Sequence, residues 1–272
     1  MPPTPTPIDA LASRVLPLKA LILAAGRGRR LWPYTRQTPK CLLTIELQVS
    51  ILQRQISLLS AAGVDRIVVV AGFGFEQVRA STAGDSHVRV MYNPFYAVAD
   101  NLISLWAARA EMDDDLLIVN GDNVFHPDML TYLLQPVASN CQLLVQRKPR
   151  YDDDDMKVTI RAGSLQAIGK ELPAECIDAA SVGLLGFRGA GVGQLHEILE
   201  EAVQVEGAMS SYYLDGIQRL AQGGISIQCV DSEQVPWADI DTPQDLAKVR
   251  EQLDRFGSHG GLTQPSAAPR LA

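Results

Sequence analysis

A glycine- and arginine-rich segment near the N-terminus is the part of the chain best suited to bind phosphate. It has the sequence LAAGRGRRL over residues 23–31. Gly26 and Gly28 allow a sharp turn that brings backbone N–H groups close to an anion. Arg27, Arg29 and Arg30 add charge that can bind phosphate oxygens in a bidentate manner. The alternative is an ordinary glycine turn with solvated arginines, because short glycine motifs often occur by chance.

Three aspartates are candidates for holding a divalent cation. Asp122 follows the apolar run 116–119, and Asp239 and Asp241 come late in the chain, two residues apart. Residues two apart on an extended strand point to the same side. Enzymes that transfer phosphoryl or nucleotidyl groups need the charge on the phosphate oxygens to be neutralised, commonly by Mg²⁺ on one or two carboxylates and the substrate phosphates. A late aspartate could instead cap the helix expected to begin after Thr242.

Short apolar runs alternate with amphipathic, helix-length segments through the first half of the chain. The pattern predicts strands over 18–25, 66–71, 88–92 and 116–119, and helices over 51–63, 76–81 and 101–111. Strands that are apolar on both faces and joined by helices predict a Rossmann-like α/β fold, doubly wound, with a mostly parallel mixed sheet and helices on both faces. Ligands bind at the carboxyl ends of such strands, so the candidate residues should share one edge.

The segment LAAGRGRRLWPYTRQTPKCLL, residues 23–43, resembles the signature LAAGxGxRLxPxTxxxPKxLL of the sugar-nucleotidyltransferase-like superfamily. This resemblance implies a fold of the nucleotide-diphospho-sugar transferase type and transfer of a nucleoside monophosphate from an NTP, with release of pyrophosphate. It implies that Arg30 stabilises the leaving pyrophosphate and that Lys40 binds phosphate. The nucleotide-binding positions that it implies are Leu23, Ala24, Ala25, Gly26, Gly28 and Arg29.

The same resemblance implies Asp122 as the first Mg²⁺ ligand. For the second ligand, a W-x-D pattern favours Asp239 and a D-T-P pattern favours Asp241, so both remain candidates. Relatives carry a glycine-containing turn before the next helix. Here that segment is 45–50, IELQVS, and has no glycine, so the turn is expected to differ.

Further stretches resemble CTP:phosphocholine cytidylyltransferases and their phosphonate relatives. The segment 93–106 would border the nucleotide base, with Asn101 and Ser104 as contacts. Lys157, in DMKV, would reach the transferred α-phosphate or the acceptor phosphate. The expected substrates are CTP and phosphocholine or an aminoalkylphosphonate. The alternatives are a sugar-1-phosphate nucleotidyltransferase that uses UTP, dTTP or GTP, and a non-catalytic nucleotide-binding regulator.

Aromatic residues of the second half are candidates for the acceptor side. Tyr212 and Trp237, with Tyr213 and Trp106, could form a box around a quaternary ammonium, as recognition of choline would need. The competing interpretation is that these aromatic residues are part of the core. An aspartate of the run 152–155 could pair with an amino group of the acceptor, but a solvated loop explains that run equally simply.

Composition limits the partners. The 272-residue chain has a formal net charge of −7 and no basic patch of the kind that nucleic-acid binding needs, and no apolar run reaches the length of a membrane span. Four scattered cysteines and an N-terminus unlike a signal peptide suggest a cytoplasmic protein. We expect a flexible segment over 1–15, one domain over 16–255 and a disordered tail over 256–272. A homodimer is expected only because such dimers are common.

Overall fold

The computed structural model describes residues 18–257, so the predicted flexible segment 1–15 and most of the predicted tail lie outside the described residues. The strands within this range are β1 Leu18–Ala24, β2 Thr44–Glu46, β3 Val49–Ser50, β4 Arg66–Ala71, β5 Val88–Tyr92, β6 Asp115–Asn120, β7 Asn123–Phe125, β8 Cys141–Gln146, β9 Lys157–Arg161, β10 Ser164–Gly169, β11 Ala179–Phe187, β12 Ile227–Asp231 and β13 Trp237–Asp239. The α-helices are α1 Ile51–Ala61, α2 Phe75–Ser81, α3 Asn101–Ala107, α4 Asp128–Leu134, α5 Ala190–Ala202, α6 Tyr213–Gln222 and α7 Pro243–Glu251. No helix among these residues is both long and apolar enough to cross a membrane.

The main sheet has nine strands in the order β5-β4-β1-β6-β11-β8-β12-β10-β9. The pairs of β1 with β4 and β6, and of β4 with β5, are parallel, as the crossover helices predicted. Strand β11 is antiparallel to both β6 and β8, and β9 and β10 form an antiparallel pair. The predicted Rossmann-like mixed sheet is confirmed, but parallel pairing dominates only in its first half.

A tight turn explains the antiparallel pair β9–β10. The two residues between these strands, Ala162 and Gly163, have φ of 51° and 77°. Positive φ at both central residues matches a type I′ hairpin, which joins antiparallel strands without a helix. The sequence pattern contains no Asn-Gly or Asp-Gly here, and the hairpin was not predicted.

Both faces of the sheet are covered, because β1 alternates between two buried clusters. Leu21 packs with residues of α3, α5 and α6 on one face. Ala20 and Ile22 pack on the other face with residues of α1, α2 and α4. A strand buried on both faces is typical of a parallel sheet with helices on each side. The result is a rigid central strand that ends in the glycine loop.

A smaller cluster attaches the C-terminal region to the glycine loop. Leu31, which follows the loop, packs with Ile240, Leu246 and Val249. Helix α7 begins as predicted, with Thr242 as N-cap and a capping box to Asp245. This cluster brings the late aspartates next to a loop more than two hundred positions earlier in the chain.

Phe256, which the sequence analysis placed in the tail, packs in the folded unit. Its side chain is buried, and its carbonyl accepts a hydrogen bond from the buried guanidinium of Arg54. Arg54 also donates to the carbonyl of Phe125 at 3.2 Å. Arg54 thus ties the end of the described chain to β7, because a buried guanidinium must find acceptors.

The turn between β2 and β3 has an uncommon backbone conformation. Gln48 has φ of 62°, a left-handed conformation that glycine adopts without strain. Its neighbour Leu47 is 94% exposed and has no positive φ. This is the segment in which the sequence lacks the glycine of its relatives. Gln48 therefore adopts with strain a conformation that glycine would adopt without it.

Gln48→Gly is expected to stabilise the protein modestly. Removing left-handed strain contributes about 1–2 kcal/mol, and the greater freedom of glycine in the unfolded chain offsets about 0.4–1 kcal/mol. A net gain of about 0.5 kcal/mol in the free energy of unfolding should appear in urea titrations. Leu47→Gly is the matched control and should destabilise the protein, since Leu47 has no left-handed strain for glycine to remove. Equal destabilisation by both changes would contradict the argument.

Candidate active site

A cleft of about 390 Å³ lies at the carboxyl edge of β1 and β6. That volume is in the range of small-molecule sites. The predicted residues that line it are Leu23, Ala24, Ala25, Gly26, Gly28, Arg29, Arg30, Lys40, Asn101, Ser104, Asp122, Tyr212 and Asp241. The predicted residues that the structure places outside this lining are Lys157, Trp237 and Asp239. The wall also includes Tyr96, Asp100 and Gly121, which sequence analysis did not select.

The glycine loop leaves β1 and turns at Gly28. This residue has φ of 59°, and a Cβ there would lie 3.1 Å from the Cβ of Lys40. The Thr35 hydroxyl donates a 2.6 Å hydrogen bond to the Gly28 carbonyl. A side chain at Gly28 would therefore be strained and would press on Lys40. The turn keeps the backbone of the loop close to the base of the cleft.

Two cations and two carboxylates meet in the cleft. The Lys40 ammonium lies 2.8 Å from Asp122 Oδ2 and 2.5 Å from Asp241 Oδ1. Arg30 Nη2 lies 2.9 Å from Asp241 Oδ2. Burial alone would lower the pKa of Lys40, but the charges of the two carboxylates raise it above its ordinary value. Lys40 is therefore a permanent cation between carboxylates from two distant parts of the chain.

The segment that carries Asp122 is clamped from several sides. Gln55, a buried residue of α1, donates from Nε2 to the carbonyls of Asn120 at 2.9 Å and Asn123 at 2.8 Å. The Gly121 N–H donates to the Leu23 carbonyl at 3.0 Å. Gln55 is a polar residue on the apolar face of a helix, a pattern by which a sequence can indicate such a clamp. Its two bonds fix the backbone on both sides of Asp122.

Asp239 lies beside this group without an ion pair among the described residues. Strand β13 pairs with β7, so Asp239 faces Asn123, the neighbour of Asp122. Desolvation and the charges of Asp122 and Asp241 raise the pKa of Asp239 well above its usual range, although the residue is exposed at its outer side. A carboxylate that has two other carboxylates nearby and no ion-pair partner among the described residues is suited to a cation.

The carboxylates suit a metal ion that is bound partly by the protein and partly by the substrate. Among residues 18–257, no group of three His, Cys, Asp or Glu side chains is arranged to hold a metal ion alone. Mg²⁺ commonly takes only one or two protein carboxylates and completes its shell with water and substrate phosphates. The oxygen donors of Asp122 and Asp239 or Asp241 fit that chemistry.

The start of α3 presents two hydrogen-bond donors to the cleft. The Asn101 Oδ1 accepts from the Tyr213 backbone N–H at 2.9 Å, so its NH₂ end is left free to donate. The Ser104 hydroxyl accepts from Asn93 Nδ2 at 3.0 Å. Within the described range no acceptor is recorded for the Ser104 O–H. These donors suit a ligand edge that carries acceptors.

Lys157 is held away from the cleft by main-chain oxygens. Its ammonium lies 2.9 Å from the carbonyl of Lys170, 3.4 Å from that of Asp153 and 3.5 Å from that of Asp155. Lys157 itself is buried. In this structure the three carbonyls use its donors, and its predicted contact with the transferred α-phosphate or the acceptor phosphate stays a prediction. Sequence spacing could not reveal this, because the acceptors are backbone atoms.

The four aromatic residues do not form the predicted box. Tyr213 is buried and donates to Asn120 Oδ1, and Trp106 packs against the core. Trp237 donates from Nε1 to Gln146 Oε1 at 2.9 Å. Tyr212 alone of the four lines the cleft, and the Lys170 ammonium lies 5.1 Å from its ring centroid. The face of Tyr212 that a choline group would use is thus next to a cation already.

Known proteins with similar sequences are nucleotidyltransferases. A family profile described as the MobA-like NTP transferase domain matches residues 20–178. The chain is 27% identical over 244 residues to a bifunctional IPC transferase and DIPP synthase of Aquifex aeolicus, covering 89% of this chain and 53% of that protein. It is 28% identical over 267 residues to a CMP-5'-(3-aminopropyl)phosphonate synthase of Streptomyces rubellomurinus, covering 90% and 42%. The chain thus spans about half the length of the curated relatives it matches.

A solved structure shares the fold. The inositol-1-phosphate CTP transferase from T. maritima superimposes with a TM-score of 0.75 at 20% identity, covering 88% of this chain and 95% of that one. The predicted fold class is confirmed, as is the predicted resemblance to nucleotidyltransferases that include cytidylyltransferases. Since the family profile covers more than half of the sequence, the chain belongs to the MobA-like NTP transferase domain family.

Proposed function

We propose that the protein transfers CMP from CTP to the phosphate or phosphonate oxygen of a small acceptor and releases pyrophosphate. The observation that carries the proposal is the meeting of Arg30, Lys40, Asp122 and Asp241 in one cleft at the glycine loop. Cations there can neutralise phosphate oxygens, and carboxylates can share a metal ion with them. This is what transfer at the α-phosphorus requires.

The acceptor oxygen needs no general base, because it is already anionic at neutral pH. It attacks the α-phosphorus as the bond to the bridging oxygen of pyrophosphate breaks, and that oxygen leaves with the electron pair. Arg30 and the glycine-loop amides would hold the leaving pyrophosphate, and Lys40 would stabilise charge on the transferred group. Catalysis then rests on positioning and charge neutralisation.

Magnesium is the cofactor that the carboxylates would hold. We propose Asp122 and Asp239 as its protein ligands, because Asp241 already pairs with both Lys40 and Arg30 while Asp239 pairs with neither. The bound ion would supply positive charge to the substrate phosphates. Asp241 would then position the side chains of Lys40 and Arg30 rather than bind the metal ion.

The choice of cytosine is supported by the two donors at the start of α3. The Asn101 amide and the Ser104 hydroxyl both offer hydrogens to the cleft. Cytosine presents acceptors at O2 and N3, whereas uracil carries a hydrogen at N3 that would face a donor. A mismatched donor leaves buried polar groups unpaired, which strongly disfavours the wrong base.

A pyrophosphate-release screen tests the proposal. It crosses CTP, UTP, GTP, ATP and dTTP, with Mg²⁺, against phosphocholine, 2-aminoethylphosphonate, 3-aminopropylphosphonate, inositol 1-phosphate and glucose 1-phosphate. We expect release with CTP and one or more of the first four acceptors. Release only with glucose 1-phosphate and another NTP would support the sugar-nucleotidyltransferase alternative instead. Saturable CTP binding without release from any pair would favour the regulator.

Gln55→Leu is expected to lower kcat about tenfold or more, by analogy with the 10- to 100-fold effects of losing groups that orient metal ligands. The change removes both bonds that fix the Asp122 segment and leaves two carbonyls unpaired. The measurement is kcat in the active pair of the screen, per mole of folded protein.

The matched control is Gln142→Leu. Gln142 and Gln55 are equally buried, and the Oε1 of each has no hydrogen-bond partner among residues 18–257. Gln142 donates weakly to the Gln135 carbonyl at 3.4 Å and does not line the cleft. Both variants should lose stability, but only Gln55→Leu should lose kcat. Equal kcat losses would assign the effect to general destabilisation.

A further inference from the structure

Tyr213 is a buried tyrosine that binds one residue of the cleft wall and one residue directly behind it. It is the first residue of α6 and is 1% exposed. Its hydroxyl donates to Asn120 Oδ1 at 3.1 Å, and its backbone N–H donates to Asn101 Oδ1 at 2.9 Å. Tyr213 itself does not line the cleft. Any effect of this side chain on the reaction must therefore pass through another residue.

Asn120 is held from both faces of the main sheet. It is the last residue of β6 and stands two positions before Asp122. Gln55 of α1 donates to its carbonyl, and Tyr213 of α6 donates to its side chain. Helix α1 packs on one face of the sheet and α6 on the other. The end of β6 is thus fixed between two helices just before the chain reaches the Asp122 carboxylate.

Glycines on both sides leave the space that Asn120 occupies. A Cβ at Gly183 of β11, where φ is 76°, would lie 2.5 Å from Asn120 Nδ2. A Cβ at Gly121 would lie 2.6 Å from the carbonyl oxygen of Leu23 in β1. Glycine at these positions allows the close approach of neighbouring strands and of the amide. The Asn120 amide is therefore confined, with its Oδ1 toward the Tyr213 hydroxyl.

The Tyr213 hydroxyl keeps its hydrogen for this bond. Burial, together with the charges of Asp122 and Asp239, raises the pKa of the hydroxyl above its ordinary value. The group is therefore a neutral donor at neutral pH. The influence of these two charges also shows that the hydroxyl lies near both carboxylates assigned to the metal ion.

We propose that Tyr213 is a positioning residue of the metal site, and that its hydroxyl holds the Asn120 side chain so that Asp122 is set to share a divalent cation with the substrate phosphates. The inference rests on the proposed function, because it assigns a residue to the cation of that reaction. Tyr213 acts through Asn120 and touches neither substrate nor ion. Its bond to Asn101 comes from the backbone, so a change of side chain leaves that bond in place.

Tyr213→Phe keeps the ring and removes the hydroxyl. The Mg²⁺ concentration for half-maximal activity should rise about fivefold, as expected for the loss of one neutral hydrogen bond. The KM for CTP at saturating Mg²⁺ should stay within about twofold of wild type, because the bond to Asn101 remains. Tyr132→Phe, which changes another buried tyrosine away from the cleft, is the matched control and should leave the Mg²⁺ requirement unchanged.

Two results of this experiment would overturn the proposal. An unchanged Mg²⁺ requirement in Tyr213→Phe, even with a lower melting temperature, would mean that the hydroxyl only stabilises the fold. A rise in the KM for CTP without a change in the Mg²⁺ requirement would assign Tyr213 to the nucleotide pocket instead.

A double-mutant cycle shows whether the effect passes through Asn120. Asn120→Ala removes the acceptor amide, while the backbone carbonyl at that position can still meet Gln55. This variant should raise the Mg²⁺ requirement at least as much as Tyr213→Phe, and the double variant should match Asn120→Ala alone. Additive effects of the two changes would mean that Tyr213 acts by another route, against the proposal.

A binding measurement distinguishes failure of this inference from failure of the proposed function. Electron paramagnetic resonance follows Mn²⁺, used in place of Mg²⁺, as it binds the protein with α,β-methylene-CTP, an analogue that cannot release pyrophosphate. The Kd for Mn²⁺ should rise about fivefold in Tyr213→Phe and should not change in Tyr132→Phe. If no substrate pair releases pyrophosphate but this shift is found, the positioning role stands while the proposed reaction fails. Equal Kd values in wild type and Tyr213→Phe would remove the role even if the enzyme is active.

Discussion

Arg30→Met is expected to lower kcat by about 100-fold or more, in line with the loss of one preorganised donor to a developing charge. The Arg30 guanidinium reaches the cleft between Asp241 and Asp154. In the proposed reaction, negative charge grows on pyrophosphate as it leaves, and methionine offers that charge no donor. The interaction strengthens in the transition state, so kcat should fall more than the KM for CTP rises. Steady-state kinetics with the active substrate pair measure both.

Arg27 provides the control from the same loop. It is exposed, does not line the cleft, and its guanidinium carbon lies 5.2 Å from the centroid of the Phe73 ring. Arg27→Met should therefore change kcat less than about twofold, since a single exposed cation–π contact contributes only about 0.5–1 kcal/mol to stability. Similar losses in both variants would mean that general positive charge, rather than Arg30, supports the reaction.

The first half of the fold could be predicted because its signals are local. Strand β1 ends in the glycine loop within a few residues, so the pattern of apolar residues and the glycines are enough to locate both. Asp122 was found in the same way, as an aspartate directly after the apolar strand β6. Helix α7 was predicted from Thr242 and Pro243, whose roles at a helix start depend only on their neighbours.

The second half resisted prediction because its contacts are long-range. The antiparallel position of β11 between β6 and β8 depends on strands far apart in sequence. Lys157 was assigned to a phosphate on its motif, yet its ammonium is held by carbonyls that no side-chain pattern reveals.

The choice between Asp239 and Asp241 also needed coordinates. Both lie in one short stretch, and spacing alone places them on the same side of a strand. The structure separates them by their partners, because Asp241 contacts Lys40 and Arg30 while Asp239 has no ion pair within residues 18–257. Charge compensation, a property of the folded site, therefore distinguishes two residues that the sequence treats alike.

Asp239→Asn is expected to raise the Mg²⁺ concentration for half-maximal activity about tenfold or more. Mutation of a residue that only orients a metal ligand already weakens metal affinity about 10- to 100-fold, and loss of a ligand itself should cost at least as much. Asp122→Asn should have the same effect with a larger loss of kcat, because it also removes a partner of Lys40. Asp241→Asn should lower kcat with a smaller change in the Mg²⁺ requirement. Pyrophosphate release over a Mg²⁺ titration measures all three. A larger Mg²⁺ shift for Asp241→Asn than for Asp239→Asn would reverse the assignment of the second ligand.

Asp100→Asn is the matched control, since this exposed carboxylate lines the same cleft but does not contribute to the raised pKa of Asp239.

The melting temperature of Asp239→Asn gives an independent check. A carboxyl whose folded pKa is raised destabilises the fold as pH rises above its unfolded pKa, because ionisation is then more costly in the folded state. At neutral pH without Mg²⁺ or nucleotide, Asp239→Asn should therefore melt at a higher temperature than wild type. Adding Mg²⁺ with CTP should stabilise wild type more than the variant, because only the wild type offers the second carboxylate. The same charge that weakens the empty fold would thus be the one that recruits the metal.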